Sequence, residues 1–480
     1  MKILFINPCY SFEELYGDLA KAGNELPPQN IAGLAAVTRN HGFITSILDC
    51  AVTKIDLAAT KRKISEISPD YVGITSTTVT VENAFQIASG IKQILPSAKI
   101  IMGGPHITAL PKETLEMCPA IDVGIVGEGE DTLTELLSFD NKSKPLKEIY
   151  GIVFRDHEGK IIRTADRNLI VDIDKLPFPA WDLLPPLDKF YRPPGDSINR
   201  MPAAGLVTSR GCPGRCTFCD NRTFGRKFRS HGATYVTEMI KDLVVKCGVK
   251  EIYFQDDHFM ASRKRLREIC DSLIEENINL TWTCTGRISK SINPEILSLM
   301  KRAGCWQVCY GIESGSQEIL NIIKKDIYLD DIRRCVKMTR KAGLSVKGFF
   351  MLGNFKETEE TVNKTIKFIK ELPLTDFHMC YFVPFPGSSA YNDAQQYGKF
   401  DKHWRSMNLY FPKSFVPHGF TEERIEELFR KCYRAHYLKP SIILYFAKKI
   451  RNLAILRKLL VSLMAFMVFS FSNKKQESTG

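Results

Sequence analysis

Gly205-Leu206-Val207-Thr208-Ser209-Arg210-Gly211-Cys212-Pro213-Gly214-Arg215-Cys216-Thr217-Phe218-Cys219 is the stretch on which the reading of the whole chain turns. A short strand-like run at 205–209 leads directly into a loop holding three thiols at C-x3-C-x2-C spacing. A structural zinc needs a fourth Cys or His at matched spacing. The next candidates, His231 and Cys247, do not form a second paired knuckle. Thiolates also hold iron-sulfur clusters, normally four to a cluster, so three leave one iron open to another ligand. That open iron is a place for chemistry.

The spacing, with the aromatic Phe218 directly before the third cysteine, resembles the cluster loop of the radical SAM enzymes. The resemblance implies a 4Fe-4S cluster on Cys212, Cys216 and Cys219 whose unique iron chelates the amino and carboxylate groups of S-adenosylmethionine. It implies one-electron reduction, release of a 5′-deoxyadenosyl radical, and a flavodoxin- or ferredoxin-type electron donor as partner.

Working outward, strand-like runs at 205–209, 251–255, 281–285, 307–311, 346–352 and 376–383 are separated by helical patterns such as 235–245 and 263–275. These six units predict a partial β/α barrel with its working residues at the carboxyl ends of the strands, and the cysteine loop follows the first run. After the second come Asp256 and Asp257. Adjacent residues of a strand face opposite ways, so one of the two is expected at the mouth, where a carboxylate accepts hydrogen bonds from an ammonium group; a solvated strand end is the bland reading. The pair is similar to the Asp-Asp-x-Phe segment of the cobalamin-linked subgroup. Arg287 closes the third run, and a guanidinium suits a carboxylate such as that of the methionine moiety. Glu313 and Ser314 close the fourth, in a Gly-Ile-Glu-Ser segment that in the family lines the cofactor site. An ion pair between Arg287 and Glu313 is the competing reading, because structural pairs imitate functional charges. The fifth run ends at Gly353 and resembles the segment whose backbone meets the adenine ring, but Asn354-Phe355-Lys356 stands where the family usually shows Leu-Pro-Gly.

Apolar runs at 2–7, 44–50, 71–76, 99–103 and 122–126 alternate with helical patterns, the signature of a parallel sheet with crossover helices. Five such strands predict a flavodoxin-like, doubly wound domain whose ligand lies beyond the carboxyl ends. Those ends carry Asn7-Pro8, Ser76-Thr77-Thr78, Gly103-Gly104-Pro105-His106 and Gly127-Glu128-Gly129-Glu130. The order of segments resembles the cobalamin-binding domain that precedes the cluster domain in one radical SAM subgroup. By that resemblance Asn7, Ser76, Thr77, Gly103 and Gly104 border the cobalamin pocket. The Asp-x-His-x-x-Gly motif that supplies a lower cobalt ligand elsewhere is absent, His106 reads as a rim hydrogen-bonding group, and a purely structural domain remains the alternative. The expected organisation is 1–140 cobalamin-binding-like, 141–200 hairpin and Pro-rich linker, 201–395 barrel, and 396–480 a helical extension.

The chain has 480 residues, enough for two or three domains, with 44% hydrophobic and 25% charged residues. Its 14 cysteines, without a signal-peptide pattern at 1–9, are expected to be reduced thiols in the cytoplasm. The net charge of +12 does not choose among acidic partners. Toward the C-terminus Lys439, Lys448, Lys449, Arg451, Arg457, Lys458, Lys474 and Lys475 flank an uncharged run at 459–473, short of the ~20 residues that span a bilayer. It reads either as a peripheral anchor at the inner membrane surface or as a helix packed on the enzyme's own core.

These features point to a radical SAM enzyme with cobalamin that methylates an unreactive centre of a small-molecule or lipid substrate. A radical cyclase or oxidoreductase of the anaerobic porphyrin cyclase type is the alternative. A non-catalytic iron-sulfur or cobalamin sensor ranks lower, since no output module is visible. An RNA-directed methylthiotransferase ranks lower too: Cys9, Cys50 and Cys118 are single and well separated, and no nucleic-acid partner is expected.

Overall fold

The computed structural model describes residues 1–16, 20, 23–139, 145–194, 197–448, 464, 466–467 and 469–470. Its first sheet contains β1 (Lys2–Asn7), β2 (Ile44–Asp49), β3 (Tyr71–Thr75), β4 (Lys99–Gly103), β5 (Val123–Ile125), β6 (Ile152–Arg155) and β7 (Ile161–Arg163) in the order β2-β1-β3-β4-β5-β6-β7. The first five are parallel. Ile3, Leu4, Phe5 and Ile6 are all buried, as in a strand covered by helices on both faces. The order reverses between β1 and β3, which places the ligand crevice of this doubly wound sheet at the ends carrying Asn7 and Ser76. The hairpin expected in the linker instead extends the sheet: β6 pairs antiparallel with β5, and β7 with β6.

The second sheet is a curled run of six parallel strands, β8 (Ala203–Leu206), β11 (Glu251–Phe254), β12 (Thr281–Gly286), β13 (Cys305–Glu313), β14 (Ser345–Leu352) and β15 (Asp376–Tyr381), each beside its successor. This is the expected partial barrel. Its first strand is shorter than the sequence suggests. Beyond Leu206 the chain leaves the sheet because its backbone is claimed elsewhere: the Gln29 amide donates to Val207 O at 3.1 Å and accepts from Val207 N at 2.6 Å. The chain then forms a two-stranded ribbon, β9 (Ser209–Arg210) with β10 (Arg229–Ser230), which brackets the cysteine loop.

The C-terminal region is helical with one unforeseen ribbon, β16 (Gly398–Phe400) and β17 (Phe415–Pro417). Helix Glu422–Tyr437 covers the open side of β15, where the Phe429 and Tyr381 rings stack at 4.3 Å. Between the ribbon strands, residues 403–410 form a strap. Trp404 packs on His106 at 4.5 Å between ring centroids, Arg405 pairs with Glu82 at 2.7 Å, Asn408 bonds Glu14 O, and Leu409 O accepts from Tyr381 N. The strap thus joins the first domain to the last barrel strand. Lys449, Arg451, Arg457, Lys458, Lys474, Lys475 and most of 459–473 lie outside the described residues. Among the described residues no helix is long and apolar enough to cross a membrane.

Candidate active site

The cysteine loop is fixed from four sides. Asp257 accepts from Gly211 N at 3.1 Å where the loop starts. Thr217 N donates to Ile323 O and Thr217 O accepts from Ala390 N, which tie the middle of the loop to the regions following β13 and β15. Arg210, two residues before Cys212, pairs with Glu128 at 2.7 Å and Glu130 at 2.5 Å, and Arg229 pairs with Glu128 at 2.9 Å. The Gly-Glu-Gly-Glu segment after β5 is therefore an inter-domain clamp.

Cations converge on the thiols. Arg287 Nη1 stands 3.7 Å from Cys216 Sγ, and Arg287 Nη2 donates to the Lys325 carbonyl. A hydrogen bond from Cys219, with Lys325 and Arg287 nearby, lowers the Cys216 thiol to about 6 against its burial. The same partnership raises Cys219, as two neighbouring thiols cannot both ionise cheaply. Lys325 lies after helix Gln317–Ile322 and carries no motif. Its Nζ reaches Glu313 Oε1 at 2.6 Å and sits 5.8 Å over the Phe218 ring. Glu313 thus pairs with Lys325, where sequence reasoning had offered Arg287. β13 shifts register between Gly311 and Glu313, and Glu313 has φ of 65°, a left-handed conformation that re-aims its carboxylate. Gly311 leaves room for it: a Cβ there would lie 2.7 Å from Glu313 Oε1 and 2.9 Å from Lys325 Nζ.

Asp256 is buried and engages the loop entrance through one oxygen, while its Oδ2 has no hydrogen-bond partner among the described residues. Its Oδ1 accepts from Thr208 N at 3.0 Å, the Thr208 hydroxyl at 2.9 Å and the Ser209 hydroxyl at 2.5 Å, while burial raises its carboxyl to about 6. Both aspartates therefore shape the loop. Ser314 bonds Thr365 at 3.1 Å and supports the following turn. Gly353, with φ of 89°, donates to Glu357 Oε2 at 2.6 Å, and Asn354 N to the same oxygen at 2.9 Å. That buried carboxylate builds the turn that Pro-Gly builds elsewhere in the family.

At the rim of the first domain, Ser76, Gly103 and Gly104 meet: Ser76 N donates to Gly103 O, and a Cβ on Gly104 would lie 2.6 Å from Ser76 O. A Cβ on Gly103 would meet nothing within 4 Å, which is open room beside the crevice. Thr77 is exposed and bonds Thr80 at 3.1 Å. The Asn7 amide donates to Asp49 at 2.9 Å, and Asp49 accepts from Tyr191 at 2.8 Å. His106 is buried, its Nδ1 bonded to Thr78 and its ring packed edge-on against Trp404, while its Nε2 has no hydrogen-bond partner among the described residues.

A recess of about 390 Å³ adjoins Cys212, Gly214, His258, Arg287 and Tyr328, within the range of small-molecule sites. A larger one, about 1020 Å³, lies between helices Gln29–Asn40 and Glu130–Leu137 and touches none of the cysteines. Cys212 and Arg287 in its lining decide for the smaller. Among the described residues no three ligating side chains converge on one metal ion. Three thiols on one loop, backed by cations, are a donor set that fits an iron-sulfur cluster with one iron left open.

Residues 206–369 match the Radical SAM superfamily and residues 17–137 the B12 binding domain. An uncharacterized methyltransferase of Pyrococcus horikoshii is 35% identical over 424 residues, covering 88% of this chain and 90% of that one. The anaerobic magnesium-protoporphyrin IX monomethyl ester cyclase of Rubrivivax gelatinosus is 27% identical, covering 82% and 70%. Among solved structures, the cobalamin-dependent S-adenosylmethionine radical enzyme OxsB, with aqua-cobalamin and S-adenosylmethionine bound, superposes with TM-score 0.74 at 17% identity, covering 98% of this chain and 72% of that one. The chain belongs to the radical SAM superfamily, in the group that carries a B12-binding domain ahead of the barrel. It is an enzyme whose cofactors are a 4Fe-4S cluster, S-adenosylmethionine and cobalamin.

Proposed function

We propose that Cys212, Cys216 and Cys219 hold the cluster and that the chain methylates an unreactive carbon or phosphorus centre. The observation that carries this reading is the three-thiol loop at the end of β8, with Arg287 3.7 Å from Cys216. When bound, the cluster with S-adenosylmethionine supplies a 5′-deoxyadenosyl radical that takes a substrate hydrogen, and cobalamin supplies the methyl group. The chain's own part is to orient and charge-balance. Asp256 and Asp257 shape the loop, Arg287 and Lys325 neutralise thiolates, and Glu313 presents a carboxylate to the ribose or ammonium of S-adenosylmethionine. Phe218 and Gly353 would adjoin the adenosyl part of bound S-adenosylmethionine, with Ser314 supporting the turn. Ser76, Thr77, Gly103 and Gly104 border cobalamin, and Asn7 acts through Asp49. Methylation is favoured over cyclisation because the relative at 35% identity across 88% of the chain is named an uncharacterized methyltransferase, against 27% for the cyclase.

The reductant is an acidic one-electron donor of flavodoxin or ferredoxin type. Exposed Arg215, Arg222, Arg226 and Lys227 lie in or just after the cysteine loop in the chain, with exposed Lys324 beside Lys325, and suit such a partner. Exposed Leu438, Ile443 and Leu444 beside Lys439 and Lys448 support peripheral contact with the cytoplasmic membrane surface and a lipid as one substrate class.

Anaerobic reconstitution with cobalamin and a strong reductant tests the reading. Wild-type protein should release 5′-deoxyadenosine and, with its substrate, S-adenosylhomocysteine, while Cys216→Ala should release neither. Equal behaviour of the two proteins would end the cluster assignment, and 5′-deoxyadenosine without S-adenosylhomocysteine during substrate turnover would select cyclisation.

A further inference from the structure

Lys325 is buried, yet its charge is held in place. Glu313 Oε1 lies 2.6 Å from its Nζ, an ion pair that holds the ammonium beside the cysteine loop. The Phe218 ring, carried between those two cysteines, lies 5.8 Å from the ammonium. Water and salt screen a charge in such a place weakly, so its field on the neighbouring sulfurs is several times that of a surface lysine. Arg287 touches Cys216 directly, but it is anchored through the backbone carbonyl of Lys325 and not through the side chain. Replacing the Lys325 side chain therefore leaves the Arg287 anchor standing.

We propose that Lys325 is a positioning cation that poises the reduction potential of the cluster, with Glu313 as its counterweight; this rests on the assignment of the cluster to Cys212, Cys216 and Cys219. Reduction adds one electron to the cluster and oxidises the donor by one. A cation held nearby stabilises the reduced form more than the oxidised one, and local net charge is among the factors that set such potentials. Glu313 acts with the opposite sign. The balance is built from this chain's residues, so it is present before S-adenosylmethionine arrives.

The test is a redox titration of the reconstituted protein without S-adenosylmethionine, followed by electron paramagnetic resonance of the reduced cluster after iron and sulfide counts. Lys325→Met should lower the reduced-to-oxidised ratio at fixed solution potential about tenfold, equivalent to about 59 mV for a one-electron couple. Lys325→Arg should stay near wild type, and Glu313→Gln should move the potential upward. An unchanged potential in cluster-loaded Lys325→Met overturns the proposal, as does a downward or absent shift in Glu313→Gln. Glu313→Gln decides alone if Lys325→Met does not load. Wild-type protein that holds no cluster would remove the parent assignment, a result distinguishable by the iron count.

Discussion

Gly214 shows how closely the cysteine loop is fitted to its cations. A Cβ at this position would lie 2.6 Å from Arg287 Nη1 and 3.3 Å from Cys212 Sγ. The clash falls on the tip of a flexible side chain, so the fold can yield by releasing Arg287. Gly214→Ala should therefore keep its thermal unfolding midpoint close to wild type while Arg287 loses Cys216; the check is a more negative cluster potential at unchanged melting. At this scale the sequence was legible wherever spacing carried the chemistry. Cys212, Cys216 and Cys219 could be named because a loop must deliver thiols close together in the chain. Lys325 could not, because it arrives from a different unit of the barrel and the lysine pair in Ile322-Ile323-Lys324-Lys325 has the look of a solvated helix end. Nor could the sequence show that Glu313 would pair with Lys325, since the pairing depends on the bulge at Gly311.

The turn after β14 illustrates how an element survives the loss of its usual residues. Glu357 is buried with its carboxylate on two backbone N–H groups, and burial raises it to about 7 from 4.5. The folded value lies above the unfolded one. The group therefore contributes its full stability below about pH 4.5, and that contribution is lost as pH rises to about 7. The span corresponds to about 3 kcal/mol. Glu357→Gln keeps an acceptor for Gly353 and Asn354 without the charge, so its thermal unfolding midpoint should change less than wild type between pH 4.5 and 7. An identical pH dependence in both proteins would count against a titrating Glu357. The strands themselves were readable from their apolar runs, but their ends were not. The run at 205–209 stops as a barrel strand at Leu206 because Gln29, from another domain, takes the Val207 backbone, and no local pattern announces that.

Across the whole molecule, the two domains are held at two places, by Glu128 and Glu130 against Arg210 and Arg229, and by the strap at 403–410. Glu128 and Arg229 are each buried, and removing one partner of a buried pair costs about 3–5 kcal/mol because the other charge is left without compensation. Glu128→Ala should lower the midpoint of urea unfolding by a corresponding amount and increase proteolysis between the domains. A surface-like loss below about 1 kcal/mol would show that the clamp is not closed in solution. The sequence indicated two α/β units in the right order, whereas the clamp was read as part of a ligand rim because glutamates after glycines at a strand end suit either role.

Gln29 carries a consequence for taking this enzyme apart. Its side-chain amide serves as the missing backbone neighbour for Val207, so the first barrel strand is finished by a residue that precedes it by 178 positions. A barrel expressed without the first domain would begin with a frayed edge directly ahead of its cysteines. Swapping in a B12-binding domain from a relative would transplant the cofactor pocket without repairing that edge, unless the helix beginning at Gln29 came with a side chain able to play the same part.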